Sequence, residues 1–178
     1  MIQKKDHHII LVVFVSMVLG IGLAGCINPF APGVADGDPL DDILGDPSTI
    51  EGFFVRFQNA YQLRDTTLYG PLIHPDFTFT YRDYDNNVDI TWFRNDEMSS
   101  TYRLFINSQD IRIQWNNIIS LDQNVEATQA QVIRRFDLTV ILDAADVIRT
   151  DGAVNFIMTR PDSTENWQLL SWRDESDL

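Results

Sequence analysis

Apolar residues recur at helical spacing in the second quarter of the chain, where Ile50, Phe53, Phe54, Phe57 and Tyr61 share one side of a 3.6-residue period. They predict a helix with one broad aromatic face. Ser48, three positions before Glu51, forms a capping box that would satisfy the first free amides. A second, shorter helix is expected over about 65–73, with Leu68, Tyr69, Leu72 and Ile73 inward and Gly70-Pro71 kinking or splitting it. From Pro75 the period falls to two: Phe77, Phe79 and Tyr81 alternate with Thr78, Thr80 and Arg82, the pattern of a half-buried strand. Asp85-Asn86-Asn87 marks a turn, and 88–91 returns as a short strand. A third helix is expected next, capped by Asn95, with Asp96 and Glu97 in its first turn and Met98, Tyr102 and Phe105 along one side. Beyond Ile111 the alternation is strand-like throughout. Ile111, Ile113 and Trp115 lie on one strand, and Val132, Phe136, Leu138, Val140 and Leu142 on the next. Val154, Phe156 and Met158 form another, and 167–173 the last, with turns placed at Asp151-Gly152 and Pro161-Asp162. Helices first and a long antiparallel run of strands afterwards is the α+β order, and 47–178 is the length of one domain.

The N-terminal pattern is different. Residues 9–25 form an uncharged apolar run behind Lys4 and Lys5, and Leu23-Ala24-Gly25 leads into Cys26, the one cysteine of the chain. This resembles the signal of a bacterial lipoprotein, with a charged start, an apolar centre and small residues before the cysteine. The resemblance implies a signal peptide over 1–25, cleavage between Gly25 and Cys26, and a lipid, palmitate among its acyl chains, on Cys26. An uncleaved membrane helix is the competing reading. It has only 17 residues, at the low edge of the ~17–25 that span a bilayer, and Gly20, Gly22 and Gly25 weaken its end. No basic residue follows until Arg56, so no stop-transfer cluster marks a cytoplasmic exit. The stretch 27–46 holds three prolines, three glycines and five aspartates without apolar periodicity, and reads as a flexible tether.

Charge narrows the partners. The whole chain has 13 basic and 26 acidic residues, and loss of 1–25 would remove Lys4, Lys5 and Asp6, leaving 11 arginines against 25 acids, a net charge of −14. Such a surface repels nucleic acid and anionic head groups, and its functional meaning would be a cationic or metal partner, against the plain alternative of a solvated acidic face. With Cys26 acylated no thiol remains for a disulfide or thiolate chemistry, and without lysine there is no Schiff base. His74 would be the sole imidazole.

The element order, together with Phe57, Ala60, Tyr61, Asp65 and Tyr69 along the first helices, Phe77-Thr78-Phe79 in the first strand and Asn166-Trp167-Gln168-Leu169-Leu170-Ser171-Trp172 at the close, resembles the nuclear transport factor 2-like superfamily. The resemblance implies three N-terminal helices packed in the concave face of a strongly curved antiparallel sheet, a cone. Its members include ketosteroid isomerase, dehydratases, polyketide cyclases and proteins that only bind or dimerise, so fold does not choose function. Two functions follow as expectations. One is a lipid-anchored, extracytoplasmic, non-enzymatic binding module of the cell envelope, at the outer membrane where the source has two, since Ile27 is not an Asp retention signal. The other is a cavity enzyme of isomerase or lyase type. Expected partners are the membrane, through the lipid on Cys26, a small apolar ligand or a protein, and a second copy by analogy with the fold. No cofactor and no metal is expected.

Five residues are candidates for lining a cavity. His74 is the one near-neutral acid or base, though a histidine before Pro75 also suits a helix exit. Arg134 interrupts the apolar face of Val132, Phe136 and Leu138. It must find an acidic partner or an anionic ligand, or be returned to solvent by a bulge. Tyr81, Tyr102 and Trp115, with Trp172, could frame an apolar pocket or fill core. Asp83, Asp85, Asn87 and Asp89 mimic a calcium loop, but Val88 stands where glycine is needed and Arg94 where a bidentate glutamate is needed, so a polar hairpin is expected.

Overall fold

The computed structural model describes residues 39–174, so the expected signal over 1–25, Cys26 and most of the expected tether lie outside the described residues. The final part of the tether stretch is helical. Helix α1 spans Pro39–Leu44 and meets α2 (Ile50–Leu63) through an ion pair of Arg56 with Asp41 and a 3.2 Å bond donated by the Asn59 amide to the Leu44 carbonyl. Between them Gly45 turns the chain at φ +95°, where a side chain would be strained.

The N-cap of helix α2 falls one residue after the expected one. Thr49 is the N-cap, its hydroxyl accepting from the Gly52 amide at 3.0 Å, while Ser48 donates to the Asp46 carboxylate. The aromatic face is as wide as the spacing promises, with Phe53, Phe54, Phe57, Ala60 and Tyr61 all buried. A short α3 (Thr66–Tyr69), capped by Asp65, runs into a 3-10 turn over Gly70–Leu72. Strand β1 then begins at Ile73 and continues to Asp83, so His74 is a strand residue and not the end of a helix. Pro75 is tolerated there because the pairing of β1 shifts register between Ile73 and Thr78.

The remaining elements are β2 (Val88–Phe93), α4 (Arg94–Asn107), β3 (Asp110–Gln123), β4 (Gln129–Ile141), β5 (Val147–Thr159) and β6 (Gln168–Asp174). Asp151-Gly152 does not turn the chain. It lies inside β5, paired with Asp137 and Phe136, and the turn comes earlier, where Asp143 accepts from the amides of Ala145 and Asp146.

The strands form one sheet in the order β2-β1-β6-β5-β4-β3. This corrects the expected antiparallel cone in two respects. The sheet is mixed, because the last strand enters beside the first and runs parallel to it, with Phe79 against Trp172. It is also open, with β2 and β3 as its edge strands among the described residues, and is neither closed nor strongly curled. What selects this order is a transverse row of paired residues, Trp92, Phe79, Trp172, Phe156 and Val132, which runs across five strands on one face. The rings of Phe53, Phe54 and Phe57 from α2 lie within about 6.5 Å of Phe156 in this row, so the helix covers it. Aromatic contacts at such distances add to the area they bury, and the parallel pairing makes the aromatic surface continuous. The opposite face is polar, with Thr80 bonded to Thr91, Thr78 to Ser171 and Gln131 to Asn155.

Candidate functional site

Where α4 crosses the β1–β2 end of the sheet, the packing leaves a cavity of about 230 Å³. Phe79, Trp92 and Trp172 form its sheet side, Tyr61 reaches it from α2, and Glu97, Ser100, Thr101 and Leu104 line it from α4. A larger hollow of about 270 Å³ beside the β3–β4 turn is lined by residues such as Asp122, Asn124 and Ile157 and contains no buried ionisable group, so chemistry and not volume picks the site.

The chemistry is Glu97. Among the described residues it is the one buried carboxylate, 4% exposed. Three neutral groups donate to it: the Tyr69 hydroxyl at 2.6 Å and the Thr101 hydroxyl at 2.9 Å to Oε1, and the Trp92 indole at 2.9 Å to Oε2. Among the described residues no arginine or histidine pairs with it. Its place in the first turn of α4 also sets its charge against the positive end of the helix dipole. Burial, and then the Glu97 charge, push the Tyr61 phenol far above the ordinary tyrosine range. Tyr69 is raised in the same way, by burial first and then by its interactions with Tyr61 and Glu97. Both phenols therefore stay neutral at any physiological pH. The Trp172 indole nitrogen is buried without a hydrogen-bond partner, and its ring instead meets Phe79 and Phe156 edge to face at 5.0 and 5.2 Å.

Of the residues singled out from the sequence, Tyr81 lies beside this site, its ring 5.7 Å from Trp92, and Trp172 lines it. Tyr102 is 54% exposed, because α4 buries the stripe Glu97, Thr101 and Phe105 and turns Tyr102 outward. His74 faces a separate shallow hollow with Arg160 and Gln168, and its Nδ1 accepts from the Asp76 amide at 3.1 Å. Trp115 and Arg134 meet elsewhere, around Phe54. The Trp115 indole donates to the Phe54 carbonyl at 2.9 Å, and the Arg134 guanidinium sits 4.8 Å from the Phe54 ring centre. Arg134 does point inward, 8% exposed, and finds its acid in Glu51 through two bonds of 2.7 and 3.1 Å. The irregular pairing that the sequence suggested for its own strand falls on β3 opposite, between Trp115 and Ser120.

The sequence reading missed Glu97, Tyr61, Tyr69 and Trp92 as a group. A first-turn glutamate is the commonest of helix signals, and three of its four neighbours come from other elements. The one local sign was the spacing of Glu97, Thr101 and Phe105 at four-residue steps. Among the described residues no three acidic, histidine or cysteine side chains gather as metal ligands, and Asp83 is used in the hairpin, accepting from Asn86.

No family model matches the chain, and no curated protein matches it in sequence. Solved structures do match. The chain is similar to the Kfla4162 protein of Kribbella flavida (14% identity, 75% of this chain and 91% of that one, TM-score 0.61). It is similar to a Novosphingobium aromaticivorans protein provisionally named a scytalone dehydratase (14% identity, 70% and 78%, TM-score 0.58). It is also similar to a Rhodospirillum rubrum protein described as NTF2-like and of unknown function in nutrient uptake (14% identity, 73% and 99%, TM-score 0.58). These likenesses establish the fold alone, an α+β fold shared with the Rhodospirillum rubrum protein described as NTF2-like. That fold hosts catalytic and purely binding members alike, so the site carries the functional argument.

Proposed function

We propose that the domain is a cavity enzyme of isomerase or lyase type in which Glu97 moves a proton of a small ring-bearing substrate. The observation behind it is a buried carboxylate on a cavity wall, held by three neutral donors and by no cation among the described residues. Glu51, by contrast, is paired with a cation, Arg134, at 2.7 Å. Oε2 accepts a single bond, from Trp92, and so has room to take a proton from a substrate C–H or O–H and return it to another atom. The electron pair left behind would pass to an oxygen of the substrate. Trp92, Phe79 and Trp172 would hold the ring and exclude water, which strengthens every electrostatic interaction in the site. The likeness to a protein provisionally named a dehydratase supports the reaction class.

The test is hydrogen–deuterium exchange at substrate carbons, followed by nuclear magnetic resonance with a panel of small cyclic ketones and hydroxylated rings in heavy water. Exchange catalysed by the wild type and abolished in a folded Glu97→Gln variant is expected. Binding without exchange would replace the enzyme with a binding module using the same cavity. The location expected from the sequence forms a second part of the proposal. Cys26 carries a lipid, and the domain works on the extracytoplasmic face, supported by Leu23-Ala24-Gly25-Cys26 behind the apolar run. Among the described residues no helix is long and apolar enough to cross a membrane.

A further inference from the structure

The acidity of the chain plays no part in the proton transfer proposed above, yet it bears on the same cavity. We infer that the Glu97 cavity binds a small ring-bearing amine as its ammonium ion. The inference rests on the preceding reading only in taking this cavity for a ligand site. A carboxylate offers about four lone-pair sites, and Tyr69, Thr101 and Trp92 occupy three. The fourth is the remaining site of Oε2, and Glu97 is one of the residues that line the cavity. Neutral donors leave the buried charge without a counter-charge, and an ammonium group supplies one through a charge-assisted hydrogen bond.

The walls favour the same class of ligand. Trp92 and Trp172 offer indole rings and Phe79 and Tyr61 add two more, and the negative face of an aromatic ring attracts a cation, with tryptophan the strongest. Among the described residues no arginine lines the cavity, so the one charged side chain an anionic ligand would meet there is Glu97. At longer range a chain of net charge −13 concentrates cations and repels anions at its surface. The volume, about 230 Å³, falls below the ~300–1,000 Å³ of sites for drug-sized ligands, which limits the occupant to roughly one ring.

Three probes of one shape decide it: benzylamine, benzyl alcohol and benzoate, titrated near neutral pH against the purified protein by calorimetry. Benzylammonium should bind at least about tenfold more tightly than the alcohol, as an added charge-assisted bond implies, and benzoate should not bind. Glu97→Gln should erase the preference for the amine. Ser100→Arg, at an exposed position on the cavity wall, should expel the amine and admit benzoate, and it serves the same purpose if Glu97→Gln fails to fold. Equal binding of alcohol and amine, binding of benzoate to the wild type, an unchanged Ser100→Arg profile, or no binding of any probe would overturn the inference. Amine binding without proton exchange would remove the enzyme reading alone, and exchange on neutral substrates without amine binding would remove this one alone.

Discussion

Tyr69, fully buried, donates to Glu97 at 2.6 Å, the shortest polar contact at the site. Hydrogen bonds to charged partners contribute about 1.5–3 kcal/mol, and Tyr69→Phe should lower the stability of the domain by that much in urea unfolding while leaving the ring packing intact. A loss under about 0.5 kcal/mol would mean that Glu97 re-forms the bond with another donor. The raised phenols make a second prediction. Tyr61 and Tyr69 hold their protons more firmly folded than unfolded, so above the ordinary tyrosine value the folded state binds more protons. Their contribution is therefore complete below about pH 10 and falls, by up to about 1.4 kcal/mol per pH unit for each tyrosine, as pH rises further. Urea midpoints measured from neutral to strongly alkaline pH should be level at first and then decline, and Tyr69→Phe should roughly halve the slope. A level profile throughout would show that the two hydroxyls are not buried.

At the scale of elements the start of α2 shows what spacing can and cannot give. Periodicity placed the helix and its buried face, because apolar positions at 3.6-residue intervals answer to one neighbouring surface. The cap moved from Ser48 to Thr49 because Gly45 and Gly52 let the preceding loop fold back onto the first turn. A Cβ on Gly52 would stand 1.9 Å from the Asp46 carbonyl oxygen and 2.7 Å from the Thr49 hydroxyl. That carbonyl accepts from the Thr49 amide at 3.2 Å and cannot easily retreat. Gly52→Ala should thus destabilise the domain by about 1–3 kcal/mol, despite the ~1 kcal/mol that alanine gains over glycine in a helix interior. Thr49→Ala, losing the cap alone, should cost about 1 kcal/mol. If Gly52→Ala melts at or above the wild-type temperature, the close approach is absent. Other elements were legible for the same reason and to the same limit. The alternation of β4 left Arg134 either inward with an acidic partner or returned to solvent by a bulge, because it could not show that Glu51 would meet it from 83 residues away. Likewise Phe79 and Trp172 each announce a strand, whereas their parallel pairing depends on which aromatic surface α2 covers. Glu97 escaped notice because its spacing fits solvent as well as core. Only the contacts with Tyr69 and Trp92 distinguish the two.

For the whole molecule, charge and tether must be weighed together. The described domain has one face of paired threonines, serines and amides and carries only arginines among its cations, several of them tied to carboxylates or carbonyls, as Arg134, Arg94 and Arg160 are. With acids in excess by more than two to one after loss of residues 1–25, it has no electrostatic reason to stay at an anionic bilayer. Under the proposal above, membrane attachment therefore rests on the lipid at Cys26, where each buried methylene contributes about 0.8 kcal/mol and two or more chains hold firmly. Cys26→Ala should then move the protein from the membrane pellet to a soluble or unprocessed fraction, with the circular dichroism of the domain unchanged. The purified variant should not bind phosphatidylglycerol vesicles. Intact mass separates the outcomes. A wild-type mass showing cleavage before Cys26 and added acyl chains supports the anchor, while a variant that stays in the pellet with its first 25 residues intact would assign attachment to the apolar run 9–25 as an uncleaved helix. In that event the cavity chemistry at Glu97 would stand unaltered, because its donors among the described residues, Tyr69, Thr101 and Trp92, all belong to the domain.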